Sequence, residues 1–360
     1  MAAYTAIDDP SAFFQATTYT GNGGNGHVIT HTGNSNLQAD MVWVKMRNAA
    51  YPPVVYDTNR RPSGTPFSGS LYMFSIGNNY GTGAENTGAY GPTAIGSNSV
   101  TMNSYDTINL NNKTFVSWNW KANGGTTASN SDGSVTSTVQ VNQDAGFSIA
   151  TATAPSSNGH WSFGHGLGVK PDMVITRQRT GGGWWTWHKD LTNQTTYYLG
   201  LNTTSSQTNE ASMWGGGMTS SVIGVSSPNS TLASEPYVAY CFAEKQGYSK
   251  FGKYIGNGSP AGPFIYTGFK PAFVMTKRTD STGNWIITDL KRSGYNGGNK
   301  ELFADLDQAE DSDSRYDLLS NGFKIRVNYA TSNASSGSYI YMAFAENPFV
   351  TSTGTPATAR

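Results

Sequence analysis

Three short stretches of the chain carry the same alternation of side chains. Tyr237 to Glu244 reads Tyr-Val-Ala-Tyr-Cys-Phe-Ala-Glu, and Tyr339 to Glu346 reads Tyr-Ile-Tyr-Met-Ala-Phe-Ala-Glu. Phe115 to Ala122, Phe-Val-Ser-Trp-Asn-Trp-Lys-Ala, is an eroded third copy. Aromatic and β-branched residues suit a half-buried pleated surface, and residues two apart share one face of a strand. In the last copy Tyr339, Tyr341, Ala343 and Ala345 take one face, and Ile340, Met342, Phe344 and Glu346 take the other. Each copy is expected to be the closing strand of a repeated unit.

Other phrases repeat in step. Val169 to Arg177 matches Phe269 to Lys277, with Pro171 answering Pro271, and Ala39 to Lys45 is the first copy. A second strand with an Asp near its end follows each: Val54 to Asp57, Trp184 to Asp190, and Trp285 to Asp289. Self-similarity at a fixed period must be settled before any other structural assignment. No stretch sustains a helical period, Asn321-Gly322 marks a hairpin turn, and Asp8-Asp9-Pro10-Ser11 can cap one helical turn. The pattern predicts an all-β chain of three tandem repeated antiparallel β-sandwich (jelly-roll-like) units, since each repeat is too long for one propeller blade. The boundaries are residues 1–123 for unit 1 with its N-terminal leader, 124–145 for a linker and connecting strand, 146–247 for unit 2, 248–350 for unit 3 and 351–360 for a flexible tail. Asn123 to Gly133 has no apolar periodicity and reads as the linker. Gly247 to Gly252 is short and aromatic, so units 2 and 3 are expected to pack together. Ser75 to Asn103 is a polar excursion that the other units lack at this length, and loops of this kind often carry function.

Charge narrows the function. The 23 basic residues balance 23 acidic ones, and charged residues are only 13% of the chain. No Lys/Arg cluster is present to replace phosphate counterions, so no nucleic-acid partner is expected. No run approaches the roughly 20 apolar residues of a spanning helix, so membrane insertion is not expected, and the opening residues do not form a signal peptide. The single cysteine, Cys241, rules out an internal disulfide framework and reads as a small buried hydrophobe from a chain made in a reducing cytoplasm.

Candidate chemistry is sparse. His27 and His31 share a strand face about 13 Å apart, too far for one zinc. His160, His165 and His188 lack cysteine partners and read as turn or surface residues. Asp305, Asp307, Glu310, Asp311 and Asp313 lack the glycine of a calcium loop and read as a solvated loop. Asp57, Asp190 and Asp289 fall one per unit, which denies them the close pairing of a glycosidase; they read as turn caps, with Arg60 and Arg292 three residues on. No nucleophile elbow or phosphate loop occurs. No catalytic residue, metal ligand or cofactor is therefore assigned. In Trp184-Trp185-Thr186-Trp187-His188, matching Trp185 and Trp187 to Trp285 and Ile287 points that pair at the core. Trp184 and His188 are then the candidate ligand-binding residues, for a glycan or an interface contact.

Three segments carry a resemblance: Tyr4-Thr5-Ala6-Ile7-Asp8-Asp9-Pro10 through Tyr19-Thr20-Gly21-Asn22-Gly23, Phe264 through Val274, and Ala343-Phe344-Ala345-Glu346-Asn347-Pro348-Phe349. Over nearly its full length the chain resembles an uncharacterised virion structural protein family of marine and freshwater tailed phages, of the cyanophage and pelagiphage type, often described as tail fibre. That resemblance implies a non-enzymatic protein of the particle surface, synthesised in the host cytoplasm and located in the virion. Its implied partners are other virion proteins, copies of itself and a host surface glycan. A tail or tail-fibre component for host attachment is the leading expectation. The alternative is a capsid decoration or head-fibre protein that stabilises the shell, and a glycan depolymerase is the remote one. Fibres are commonly trimers, although no heptad run supports one here.

Overall fold

The computed structural model describes residues 5–61, 71–77, 81–157, 159–211, 213–227, 234–293, 296 and 300–356. Over these residues the chain is all-β, with several antiparallel sheets and helical turns of four residues or fewer. Asp9 caps the first turn, its carboxylate accepting from the Ser11 N–H, as the leader predicts.

One strand order recurs in three sheets: leading, closing, central, flanking and outer strand. In the first third these are Phe14–Thr20, Thr114–Trp120, Met41–Met46, Val54–Asp57 and Phe74–Ser75. In the second they are Phe147–Thr153, Pro236–Phe242, Met173–Gln178, Trp185–His188 and Tyr197–Gly200. In the last they are Ser249–Ile255, Ser338–Pro348, Phe269–Arg278, Ile286–Asp289 and Glu301–Phe303. The repeated phrases thus fall on the closing and central strands. Register makes the equivalence exact to the residue: Trp43 pairs with Trp118, Ile175 with Tyr240, and Met275 with Met342.

The stretch expected to be a linker is folded. Ala128–Asn130 and Ser137–Asn142 extend the second sheet beyond its leading strand. The buried Asp40 carboxylate accepts from the N–H groups of Ala122, Gly124 and Gly125, which fixes the glycine-rich turn ahead of them. Of the tail, Ser352 donates its N–H to Asp8 at 2.6 Å; residues 357–360 lie outside the described residues, as do Pro62 and residues 78–80 of the polar excursion.

Behind each large sheet lies a small one. His27–Thr30, Ser99–Met102 and Ala94–Gly96 back the first, Gly159–Gly164 and Val222–Ser227 the second, and Phe264–Tyr266, Gly322–Ile325 and Tyr316–Leu319 the third. The last two strands form the hairpin that Asn321-Gly322 predicts. Each pair of sheets encloses its own apolar cluster, containing Tyr56, Val100 and Phe115 in one, Trp187, Ile223 and Cys241 in the next, and Ile265, Phe323 and Tyr341 in the last.

The opposite faces of the three large sheets meet in a fourth cluster that all thirds of the chain share. The closing strands are accordingly buried on both faces, where alternation alone suggested half-burial. Tyr339, Tyr341 and Ala343 face their own unit, while Ile340, Met342 and Phe344 face the shared core. At its centre stand three equivalent residues: Trp120 and Phe242 have ring centroids 6.2 Å apart, Trp120 and Phe344 5.6 Å, and Phe242 and Phe344 5.9 Å. One equivalent position from each third of the chain thus contacts the other two. Packing extends to all three units what the sequence suggests for the second and third alone.

Candidate functional site

Several buried charged side chains lie in the seams between units. On every central strand two apolar residues and then a cation point inward: Met41, Trp43 and Lys45; Met173, Ile175 and Arg177; Phe273, Met275 and Lys277. Each cation is buried and crosses to another unit, unit 1 reaching unit 3, unit 2 reaching unit 1 and unit 3 reaching unit 2. Lys45 Nζ donates to the Asp307 carbonyl (2.7 Å), Arg177 Nη1 to Gly81 (3.2 Å) and Lys277 Nζ to Thr204 (2.9 Å). Burial lowers the Lys45 ammonium to about 7, opposed by Asp307, and the Lys277 ammonium to about 8, opposed by Asp305.

Two seams carry the same ionic network. Asp57 accepts from the Arg60 N–H and Nε, and its Oδ2 also takes the Tyr240 hydroxyl of the next unit at 2.6 Å. Arg60 continues to Glu85 (3.0 Å), which also pairs with Arg179 (2.5 Å). Asp289 likewise holds Arg292 and accepts the Trp118 indole N–H of unit 1 at 3.0 Å; Arg292 and Arg47 converge on Glu310. Burial alone would lower the Arg60 pKa; Asp57, Tyr240 and Glu85 reverse the sign and raise it. The turn-capping role read for Asp57 and Asp289 with their arginines is thus met, with a partner across the seam added.

The third seam has a histidine where the others have the aspartate of their Asp–Arg pair, and there the sequence alignment slips. Strand pairing sets Met41 opposite Asp57, Met173 opposite His188 and Phe273 opposite Asp289. His188, not Asp190, is therefore the equivalent residue. Its Nε2 faces the Tyr341 carbonyl (3.3 Å), and its Nδ1 accepts the Asp190 N–H (3.2 Å). Burial lowers its pKa to about 3. A neutral imidazole protonated at Nε2 satisfies both bonds.

Trp184 shifts likewise. Thr176 pairs with Trp185 and Thr276 with Ile286, so Trp184, not Trp185, is the counterpart of Trp285. A one-residue slip exchanges the faces of a strand. Trp184 is only 1% exposed; its indole donates to the Ser75 carbonyl of unit 1 (3.0 Å), as that of Trp285 does to Gly200 of unit 2 (2.8 Å). Trp184 and His188 are interface residues inside the chain, and a glycan has no access to them. Trp187 faces the core of its own unit, with the partly buried Trp185 packed against it.

The remaining candidates separate. His165 is buried like His188, contrary to the surface reading. His31 is buried against the Thr17 hydroxyl (2.9 Å), and burial lowers it to about 4. His27 bonds Asn109 (2.8 Å) instead of sharing a ligand with His31. The acidic stretch is no solvated loop: Asp305 is buried and accepts the Trp285 N–H (3.0 Å), Glu310 joins its seam, and Asp313 pairs with Arg315 (2.5 Å). Among the described residues no three His, Cys, Asp or Glu side chains are grouped to hold a metal. Cys241 is buried, and burial raises its thiol to about 12.

One surface feature escaped the sequence reading. On the edge strand Phe264–Tyr266, Ile265 points inward while Phe264 is 45% and Tyr266 59% exposed. Pairing makes Val28 and Thr30 of unit 1, and Ser162 and Gly164 of unit 2, their counterparts. Aligning the repeats at these short strands would have revealed the difference. Phe264 lies over Gly322, where a Cβ would come within 2.9 Å of its ring. Tyr266 borders a pocket of about 380 Å³ with Glu244, Gln246, Ser249, Lys250, Thr267 and Phe349. Another, of about 260 Å³, opens between units 1 and 3 beside Gln15, Lys291 and Glu346. Among the described residues no helix is long and apolar enough to cross a membrane.

No curated protein and no solved structure matches this chain. A family model does match it, over residues 9–348, a span that contains all three large sheets and the buried residues of the shared core except Ile7. The chain belongs to the family described as Domain of unknown function (DUF7483).

Proposed function

We propose that this chain is a non-enzymatic structural protein of a tailed-phage particle, displayed on its surface as a tail or tail-fibre component for host attachment. We read each third as an antiparallel sandwich, jelly-roll-like in its layering, with its small sheet outward. The observation that carries the proposal is the fate of the buried charges: Asp57, Arg60, Arg177, Lys277, Asp289 and Arg292 are bound in seams or to backbone, which suits a rigid scaffold. The phage setting rests on the sequence resemblance.

A second reading, a capsid decoration or head-fibre protein, is favoured by the mutual contact of three equivalent positions, one per third of the chain, an arrangement that suits a threefold position on a shell. Electron cryo-microscopy of intact particles tests both. Low-copy density on the tail supports attachment, density repeated over the head lattice supports decoration, and particles lacking the chain refute both.

A further inference from the structure

We propose that the pocket beside Tyr266 binds a neutral saccharide. The inference rests on a break in internal symmetry. Tyr266 is the most exposed aromatic among the described residues, ahead of Phe264 on the same strand and of Tyr329. At the equivalent positions unit 1 carries the exposed Val28 and Thr30, and unit 2 carries Ser162 and a buried Gly164, so the fold does not require an aromatic there. An exposed pair of rings on one strand face is the kind of departure that marks a binding surface.

The lining supplies the rest of the chemistry. Tyr266 offers a ring whose face can take the C–H side of a sugar and a hydroxyl at its tip. Gly268, with φ +83°, lies beside it, and a Cβ there would come within 3.6 Å of the Tyr266 hydroxyl. Glu244 is fixed from both sides, by Lys250 at 2.5 Å and Lys189 at 3.2 Å, and so presents a positioned carboxylate beside an ammonium. Gln246 is exposed and brings an amide that can donate and accept at once. A pocket of about 380 Å³ lies within the range that holds a small ligand. The lining charges of Glu244 and Lys250 cancel, and the whole chain is neutral, so a polyanion finds no field to attract it. Hydroxyl-rich, uncharged and amphipathic is the description of a neutral sugar.

The test is calorimetric titration of the intact chain with maltohexaose, cellohexaose, dextran and yeast mannan, with dextran sulfate as the charged control. Binding to at least one neutral probe is expected. Affinity should fall at least about tenfold in Tyr266→Ala, fall in Gln246→Ala, and survive in Tyr266→Phe and in Tyr329→Ala, which removes an exposed ring elsewhere. Tyr266 is exposed, so its substitution leaves the core intact; an unchanged melting temperature checks this. No binding to any neutral probe, equal binding by Tyr266→Ala, or binding to dextran sulfate alone would overturn the proposal. The inference deepens the attachment reading but is judged on the isolated chain, so its failure leaves the particle location untouched, and a chain missing from particles leaves the binding result standing.

Discussion

Replacing Phe344 by alanine tests whether the three units share one fate. Its ring touches Phe14, Trp120, Phe242, Tyr248, Phe251 and Phe273, from every third of the chain. A buried Phe→Ala change costs about 3–5 kcal/mol. Unfolding entropy near 2.1 cal/mol/K per residue gives about 0.76 kcal/mol/K if all 360 residues melt together. The melting temperature of the whole chain should then drop by about 4–7 °C, as a single calorimetric transition. Were unit 3 an independent domain of about a hundred residues, its own transition would fall by roughly 15–25 °C and the others would stay in place. Hydrogen exchange gives a second readout: protection in Thr114–Trp120 of unit 1 should weaken along with that of unit 3. A split melting curve, with unit 1 unchanged, would refute the shared core as the source of stability.

Asp57→Asn and Asp289→Asn should each cost roughly 3–5 kcal/mol in urea unfolding, since each removes the carboxylate that holds the buried guanidinium at Nε and leaves it only the carboxylate of Glu85 or Glu310 at its far end; losses below about 1 kcal/mol would equate these pairs with exposed ones. Lys45 is lowered to about 7 in the folded chain, so between there and its unfolded value of about 10.4 the unfolded state holds the proton that the folded state has shed. Stability should therefore gain from rising pH across that window, and Lys45→Met should flatten the gain; parallel curves for the two proteins would sink the assignment. Cys241 should resist iodoacetamide in the folded chain and react once the chain is unfolded, with stoichiometric labelling of the native protein as the contrary result.

The repeat was legible because the closing strands kept their aromatic order, and Asp57 and Asp289 were legible as caps because their arginines lie only three residues on. Their cross-seam partners were hidden: Tyr240 is 183 residues from Asp57, and Trp118 is 171 from Asp289. The shared core was hidden for a different reason. The closing strands of the second and third units are near-continuous apolar runs, the pattern of burial on both faces, but the run does not say what covers the second face. Trp184 was misplaced because the Trp-rich run offers two alignments to Trp285 one residue apart, and only the ladder hydrogen bonds choose between them. Tyr266 was missed because its strand is short and lies away from the strongest repeat phrases.

The unequal seams bear on how a chain of look-alike parts avoids joining wrongly. Tandem homologous units are prone to misassembly and to exchange between neighbouring molecules while still half folded. Here Glu85 and Glu310 meet arginines, whereas Gln207 stands where they do in the remaining seam and donates its N–H to the Thr279 carbonyl. A unit docked at the wrong neighbour would leave a buried carboxylate or guanidinium facing threonine or leucine, at a cost that a correct joint avoids. The charges thus act as keys, and they give the three near-copies an order in which to close.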